Sequence, residues 1–386
     1  MKTNLIKAVA PIAFAAFPVM ANATVDSRSF AMGGTGVASA SYLTASIHNP
    51  ALASQYGDSD NFGMILPTFS ASVHDSSDMI DTIDRFDDAF MRWEDEIWAG
   101  NPDASPEEWQ NILRELQGEV LTAEASTGIV IAIPNKYIST NLFAMLNANV
   151  IAVPLVDEKD FDPGINDPDD LESSVYALGG ATLDVGLTFA KQFDWFDKPL
   201  HLGISPKMQQ MLSLGYGEAI NDADDDDFDF EDANTNSGFN MDIGAAYELT
   251  DKWNLAFSAR NLISRELETN EYFGQTSTYI INPEYVFGAS YDRGWYTLTS
   301  DIDLNSKEYF KEIDYKTQFA RFGAEIDAWR WAQLRMGYAY SMTDHADDVV
   351  TAGLGLKPFG LFGFDISGSY GKDNNYGISA QMILHF

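Results

Sequence analysis

The most constraining feature of this sequence is a hydropathy period of two that recurs along most of its length. In the last residues Tyr376, Ile378, Ala380, Met382, Leu384 and Phe386 fall on one face, with Gly377, Ser379, Gln381 and His385 on the other. A period of two marks a strand, because successive side chains leave a pleated backbone on opposite faces. The same alternation sets Phe239, Met241, Ile243, Ala245 and Tyr247 against Asn240, Asp242 and Glu248. It sets Trp253, Leu255, Phe257 and Ala259 against Asn254, Ser258 and Arg260. It continues through 285–291, 296–303, 321–326, 333–340 and 362–367, and more weakly near 61–74, 125–134, 141–154, 174–193 and 200–217. The pattern predicts about fourteen strands, each with one apolar and one wet face, as in an antiparallel outer-membrane β-barrel.

The connections support the same fold independently. The stretches 75–124, 157–173, 218–236, 264–282, 304–317, 342–348 and 371–375 are long. They alternate with the short stretches 135–140, 194–199, 250–252, 292–293, 329–330 and 357–360. Outer-membrane barrels have short turns on the periplasmic side and longer loops outside, whereas a soluble sandwich has no reason to keep this phase. The barrel is therefore expected over 59–386. Its last residue, Phe386, resembles the terminal aromatic read by barrel-assembly machinery.

The other end reads as an export leader. Lys2 and Lys7 precede an apolar stretch, Ala8–Met20, and Ala21-Asn22-Ala23 offers the small residues a signal peptidase needs. Residues 1–23 are the expected signal peptide, and the outer membrane of a Gram-negative envelope the expected destination. The remaining sequence has no apolar run of membrane-helix length. There is no Cys, which excludes disulfides and thiol chemistry. The net charge is −35, and removing Lys2 and Lys7 takes it to −37, which argues against nucleic-acid partners. No cofactor motif stands out.

The polar face of the strands is ionic. Lys207, Arg260, Arg321 and Arg335 sit among Asp184, Asp242, Glu248, Asp301, Asp303, Glu325 and Asp365. These groups either pair across the lumen and stiffen it or line a polar conduit.

Residues 24–58 do not alternate. Gly33, Gly34 and Gly36 could suggest a phosphate cradle, but no Lys-Ser/Thr pair follows, so a compact coil with close backbone approaches is expected. The block Ala31-Met32-Gly33-Gly34-Thr35-Gly36-Val37-Ala38, followed by Asn49-Pro50-Ala51, resembles the FadL-type superfamily of outer-membrane proteins. Within it the chain is most similar to the TraF-type barrel proteins of plasmid transfer operons, as 238–245, 259–263 and 352–356 also suggest. The resemblance implies that 24–58 plugs the barrel, with Gly33, Gly34, Gly36, Asn49 and Pro50 in the plug. It also implies a surface or envelope component linked to conjugation, or alternatively a channel for hydrophobic compounds. The TraF name is shared with thioredoxin-like periplasmic proteins, whose redox role a Cys-free barrel cannot have.

Within 75–124 the residues Ile80, Ile83, Phe86, Phe90, Trp93 and Ile97 recur at helical spacing. A second helix is expected after Ser105-Pro106-Glu107-Glu108, a capping-box pattern, with Trp109, Ile112, Leu113, Leu116 and Val120 as its apolar face. Phe86, Phe90 and Trp93 then either pack inside a helical outer loop or bind a hydrophobic small molecule or a partner. The acidic stretch 221–232 lacks the Gly and the final Glu of a calcium loop, so no protein metal site is expected; bridging of cations with lipopolysaccharide is a weaker reading. None of His48, His74, His201, His345 and His385 has a neighbour in sequence that reads as a catalytic triad, and an enzyme is not expected.

Overall fold

The computed structural model describes residues 26–57, 60–75, 78–165, 167, 170–219, 232–272, 274–329, 331–358, 361–372 and 374–385. The expected leader at 1–23, nearly all of the acidic stretch 221–232, and Phe386 lie outside the described residues.

Among them the chain forms a closed antiparallel barrel of fourteen strands, counting the two pieces of the first strand as one. The strands are β1 (Gly63–Ile65 and Phe69–His74), β2 (Leu121–Ile133), β3 (Ser139–Leu155), β4 (Ser174–Trp195) and β5 (Lys198–Ala219). They continue as β6 (Asn234–Glu248), β7 (Trp253–Arg260), β8 (Glu284–Asp292), β9 (Tyr296–Asp303) and β10 (Phe319–Trp329). The last four are β11 (Ala332–Ser341), β12 (Val349–Leu356), β13 (Phe362–Gly371) and β14 (Tyr376–His385). Each pairs with its sequence neighbours, and β14 closes on β1 through Ala380↔Phe69 and Ile383↔Ile65. Closure matters because a sheet edge in lipid would leave backbone groups unpaired at several kcal/mol each.

The first strand contains the one irregularity at the seam. Its register against β2 runs Ile65↔Val130 but Ser70↔Ser126, a shift of one residue across Leu66–Thr68. Pro67 has no N–H to donate, so the extra residue is accommodated as a bulge there. The flanking amides stay satisfied, from Leu66 N to Met382 O and from Thr68 N to Gly128 O.

The outer wall is apolar, and aromatic side chains collect at its two rims. Trp195, Phe196, Trp253, Trp295, Trp329 and Trp331 are exposed near the short turns. Tyr338, Tyr340, Tyr370 and Tyr376 are exposed near the long loops. Such girdles sit at the two membrane interfaces of an outer-membrane barrel.

The long loop after β1 folds as a helical hairpin, α3 (Met79–Trp98) and α4 (Glu107–Glu115), numbered after two short helices of the N-terminal segment, α1 (Ser27–Ala31) and α2 (Ala45–His48). Met79, Ile83, Phe86, Phe90 and Trp93 of α3 pack on Trp109 and Leu113 of α4 and on Leu116. The same cluster continues onto Leu121, Ala152 and Val175 at the loop-side ends of β2–β4. Two local expectations are corrected. Ile80 is exposed, because the buried stripe runs through Met79 and Thr82 instead. The capping box does not close, because the Glu108 carboxylate accepts from Arg92 Nη2 at 2.7 Å and leaves only Ser105 Oγ near the Glu107 amide, at 3.4 Å. The start of α3 is held instead by Asp75, whose carboxylate accepts from Met79 N at 2.7 Å and Ile80 N at 3.1 Å.

Candidate functional site

The lumen carries the chemistry. Its ionic side chains pair along the wall, not across it as expected, because neighbouring strands bring inward groups within reach and the lumen of a fourteen-strand barrel is too wide for them to meet. Lys207 Nζ on β5 lies 2.9 Å from Asp184 on β4 and 3.0 Å from Asp242 on β6. Arg260 pairs with Glu284 at 2.6 Å, and Arg321 with Asp303 at 2.5 Å. Arg335 joins Glu325 at 2.6 Å and Asp365 at 2.5 Å. Among the described residues Asp301 and Glu248 pair with no Lys or Arg; both turn to the N-terminal segment.

That segment, residues 26–56, lies inside the ring of strands. Its local shape follows from short caps. Asp26 accepts from Arg28 N at the start of α1, and Asn49 Oδ1 accepts from Ala51 N at the start of a 3-10 turn whose first residue is Pro50. Gly33 and Gly34 have φ of +72° and +84°, the left-handed region that side chains avoid. A Cβ on Gly36 would stand 2.5 Å from the His48 ring. The three glycines thus serve close packing, and no phosphate cradle is built.

Contacts with the wall run almost all the way round. Asn141 on β3 donates to Tyr42 O, and Thr188 on β4 to Ser46 Oγ. Asn49 Nδ2 donates to Ala245 O on β6, Ser258 on β7 to His48 O, and Ser290 on β8 to Ala38 O. Asp301 on β9 accepts from both Gly36 N at 2.7 Å and Val37 N at 2.9 Å. Glu325 on β10 grips Arg28, Thr351 on β12 accepts from Gly33 N, and Gln381 on β14 accepts from Ser27 N.

One constellation escaped the sequence reading. Ser54, His201 and Glu248 line up, with Ser54 Oγ 2.7 Å from His201 Nδ1 and His201 Nε2 3.1 Å from Glu248 Oε1. The order resembles a hydrolytic triad, but Ser54 Oγ also donates to Ala51 O at 3.0 Å. A hydroxyl whose proton is given to a carbonyl cannot pass it to the imidazole, and Ser54 and His201 are both buried. The arrangement bolts the segment to β5 and β6. No spacing in the sequence could reveal it, since the three residues lie on separate elements.

On the loop side, two stretches fold back over the lumen. They carry the small pairings Arg265–Glu268 with Thr278–Ile281 and Lys307–Glu308 with Lys316–Thr317. Tyr279, Tyr309, Phe310 and Tyr315 from these loops pack on Ile151, Leu178 and Met211 of the wall. Between this roof and the N-terminal segment lies a cavity of about 290 Å³. Its lining includes Asp184, Lys207, Asp242, Arg260, Tyr279 and Tyr309.

The helical hairpin is elsewhere. Phe86, Phe90 and Trp93 are buried, their rings within 6.2 Å of Trp109, and none lines the cavity. Phe86 stacks on Phe90 at 5.6 Å, and Trp109 meets both edge-on.

Residues 46–303 match the family described as the F plasmid transfer operon TraF protein. The chain belongs to that TraF family. The match starts within the N-terminal segment and covers the wall from β1 to β9. No curated protein matches the chain in sequence. Among solved structures, the Ralstonia pickettii toluene transporter TbuX is similar at a TM-score of 0.55 and 12% identity, over 95% of this chain and 99% of that one. A Pseudomonas aeruginosa FadL homologue is similar at 0.53 and 11%, over 95% and 100%, and the Pseudomonas putida toluene transporter TodX at 0.52 and 12%, over 95% and 98%. At these identities the likeness establishes a shared fold: this TraF-family chain has the barrel of FadL-like outer-membrane proteins.

Proposed function

We propose that the protein is an outer-membrane envelope component linked to plasmid transfer, whose barrel is held shut by its own N-terminal segment. The family carries the link to transfer. The observation that carries the closed state is the ring of bonds from residues 27–54 to inward side chains of β3–β5, β7–β10 and β12–β14 and to the Ala245 carbonyl of β6. On this reading residues 24–58 act as a plug, with Gly33, Gly34, Gly36, Asn49 and Pro50 shaping it, and 1–23 are removed on export. Assembly machinery reads the last strand and Phe386, lipopolysaccharide surrounds the outer rim, and conjugation components are the partners. No step here calls for catalysis. A clean deletion of the gene in a plasmid-bearing donor should lower transfer frequency, with restoration by the intact gene; unchanged transfer would remove the link.

A second reading, uptake of hydrophobic compounds, is favoured by the fold shared with the toluene transporters TbuX and TodX. Toluene-dependent fluorescence or calorimetric binding to the purified barrel tests it directly.

A further inference from the structure

A second cleft opens at the short-turn end of the barrel and shares no lining residue with the chamber under the roof. Its volume is about 210 Å³, and it lies between Arg28 of α1 and the short-turn ends of β8–β12. Asp292, Glu325, Asp327, Arg335 and Lys357 supply its other charges. Register explains why they converge. Glu325 stands opposite Arg335, and one inward step nearer the turns Asp327 stands opposite Gln333. Gln333 and Asp365 flank Gly355 from either side. Lys357 comes two residues after Gly355 and so takes the next inward position. Its Cγ would lie 3.7 Å from a Cβ on Gly363, which is buried between the exposed Phe362 and Phe364.

The cations of this cleft are not all matched. Arg28 and Arg335 share Glu325, and Arg335 also holds Asp365. Asp292 and Asp327 are exposed and already accept from Gly294 N and Gln333 Nε2. Among the described residues Lys357 forms no ion pair, and Asp365 and Glu325 act on it only at a distance. Burial holds its ammonium below the usual lysine range, with Arg28 and Arg335 adding to the effect against Asp365 and Glu325. Behind the exposed acids, Arg28, Arg335 and Lys357 therefore face Glu325 and Asp365, one positive charge in excess. Donors are in excess as well. Each guanidinium carries five N–H groups. Arg28 commits three of them to Glu325 and Ser39 O, and Arg335 commits two to Glu325 and Asp365. Lys357 is only part-buried, which leaves its ammonium open to an entering group.

We propose that this cleft binds a monocarboxylate, its acid group held by Lys357 beside Arg28. One negative charge matches one excess positive charge, and two carboxylate oxygens accept several N–H bonds together. A doubly charged phosphate is disfavoured, because it must pass Asp292 and Asp327 and exceeds the charge it would neutralise. An uncharged occupant would leave the ammonium without a counter-charge. The cleft is smaller than the roughly 300–1,000 Å³ of most ligand pockets, so it encloses the acid group and a few carbons while any longer body extends outward. Short turns mark the periplasmic side of an outer-membrane barrel, and the ligand arrives from there. The inference goes beyond both the transfer role and hydrocarbon uptake and depends on neither.

The test uses the full-length barrel in detergent, with N-acetylglycine, its methyl ester and inorganic phosphate as probes in saturation-transfer NMR and calorimetry. N-acetylglycine should bind, and Lys357→Met should weaken it about tenfold or more, as expected for loss of a charged hydrogen-bond partner. Lys357→Arg should retain most of the affinity. Lys311→Met in the roof, where Lys311 pairs with Glu266, is the control and should change nothing. Heat-modifiability of each variant shows that the barrel has folded. Pentaglycine with a free or an amidated C-terminus separates the two sources of such an acid. Tighter binding of the free peptide than of N-acetylglycine assigns a peptide C-terminus, equal or weaker binding assigns a small free acid, and both support the site. Absence of N-acetylglycine binding to folded wild-type barrel overturns the proposal. So does an ester that binds as well as the acid, phosphate that binds more tightly, or affinity untouched by Lys357→Met. Neither transfer frequency nor toluene binding is read, so failure here leaves both readings of function standing.

Discussion

Arg28 and Glu325 meet through two parallel hydrogen bonds of 2.9 Å, from Nε to Oε2 and from Nη2 to Oε1. The pair joins α1 of the N-terminal segment to β10 of the wall, and Glu325 Oε2 also accepts from Arg335 Nε at 2.6 Å. Arg28 Nη1 reaches the other way, to Ser39 O at 2.7 Å, so one guanidinium ties the segment to itself and to the barrel. Fork-on-fork geometry of this kind fixes orientation as well as energy.

Replacing Arg28 by Ala therefore removes the strongest single tether. The cost should be roughly 3 kcal/mol, the low end for breaking a buried pair, because Arg335 still partners Glu325. The barrel itself should still shift on heating in gel electrophoresis, while single-channel conductance in planar bilayers rises above the wild-type level. Wild-type conductance in a folded variant would show that the tether is dispensable for closure.

Gly337 tests the same closure through shape alone. A Cβ there would stand 2.0 Å from Gly33 N and 2.2 Å from Met32 C, so Gly337→Val should push the segment from its seat. Gly368 is the control, since its nearest neighbour would be Gly377 O at 3.4 Å. Conductance should increase for Gly337→Val and remain at the wild-type level for Gly368→Ala, with both barrels heat-modifiable. Equal conductance in the two variants would count against a segment that seals by close packing.

The strands and their phase were legible because a barrel wall enforces period two: a one-residue slip would turn Asp242 or Asp365 into lipid. Loop phase was legible for the same reason, as each turn returns the chain to one of two rims. What joined across the lumen was not legible. Ser54, His201 and Glu248 sit on three elements, and only the path of the N-terminal segment brings them together. The ionic residues were found, but their partners were not, because pairing depends on which strands are neighbours. Asp75 was missed as the cap of α3 because it lies four residues before Met79, outside the usual capping spacing.

Glu119 gives the outer loop a pH dependence. Burial, followed by the carboxylates of Asp75 and Glu115, pushes its carboxyl up to about 7, and its Oε2 has no hydrogen-bond partner. A carboxyl whose folded value lies above its unfolded one stabilises the fold fully below the unfolded value, near 4.5, and that contribution is lost as pH rises through about 7. Glu119→Gln should therefore leave the loop unchanged at pH 4 and make it more protease-resistant at pH 8. The gain should be roughly 1–2 kcal/mol after allowing for solvent screening of a half-exposed group. Equal protection of wild type and variant at pH 8 would refute it.

The hairpin aromatics supply the last prediction. Phe86, Phe90 and Trp93 face Trp109 and Leu113, and the cluster reaches Leu121, Ala152 and Val175 at the barrel rim. Rings so enclosed contribute through packing, and truncating one costs about 3–5 kcal/mol where the cavity cannot collapse. An isolated hairpin of two helices has little stability to spare, so Phe86→Ala with Trp93→Ala should unfold it locally. Proteolysis should then cut within 79–116 while the strands remain paired, because no lipid-facing or lumen residue is touched. Binding of a fluorescent fatty acid to the purified barrel should be unaffected in the same preparation. If instead that binding falls while the loop stays protease-resistant, the rings contact ligand from a transiently opened loop, and Phe86 and Trp93 become binding residues in their own right.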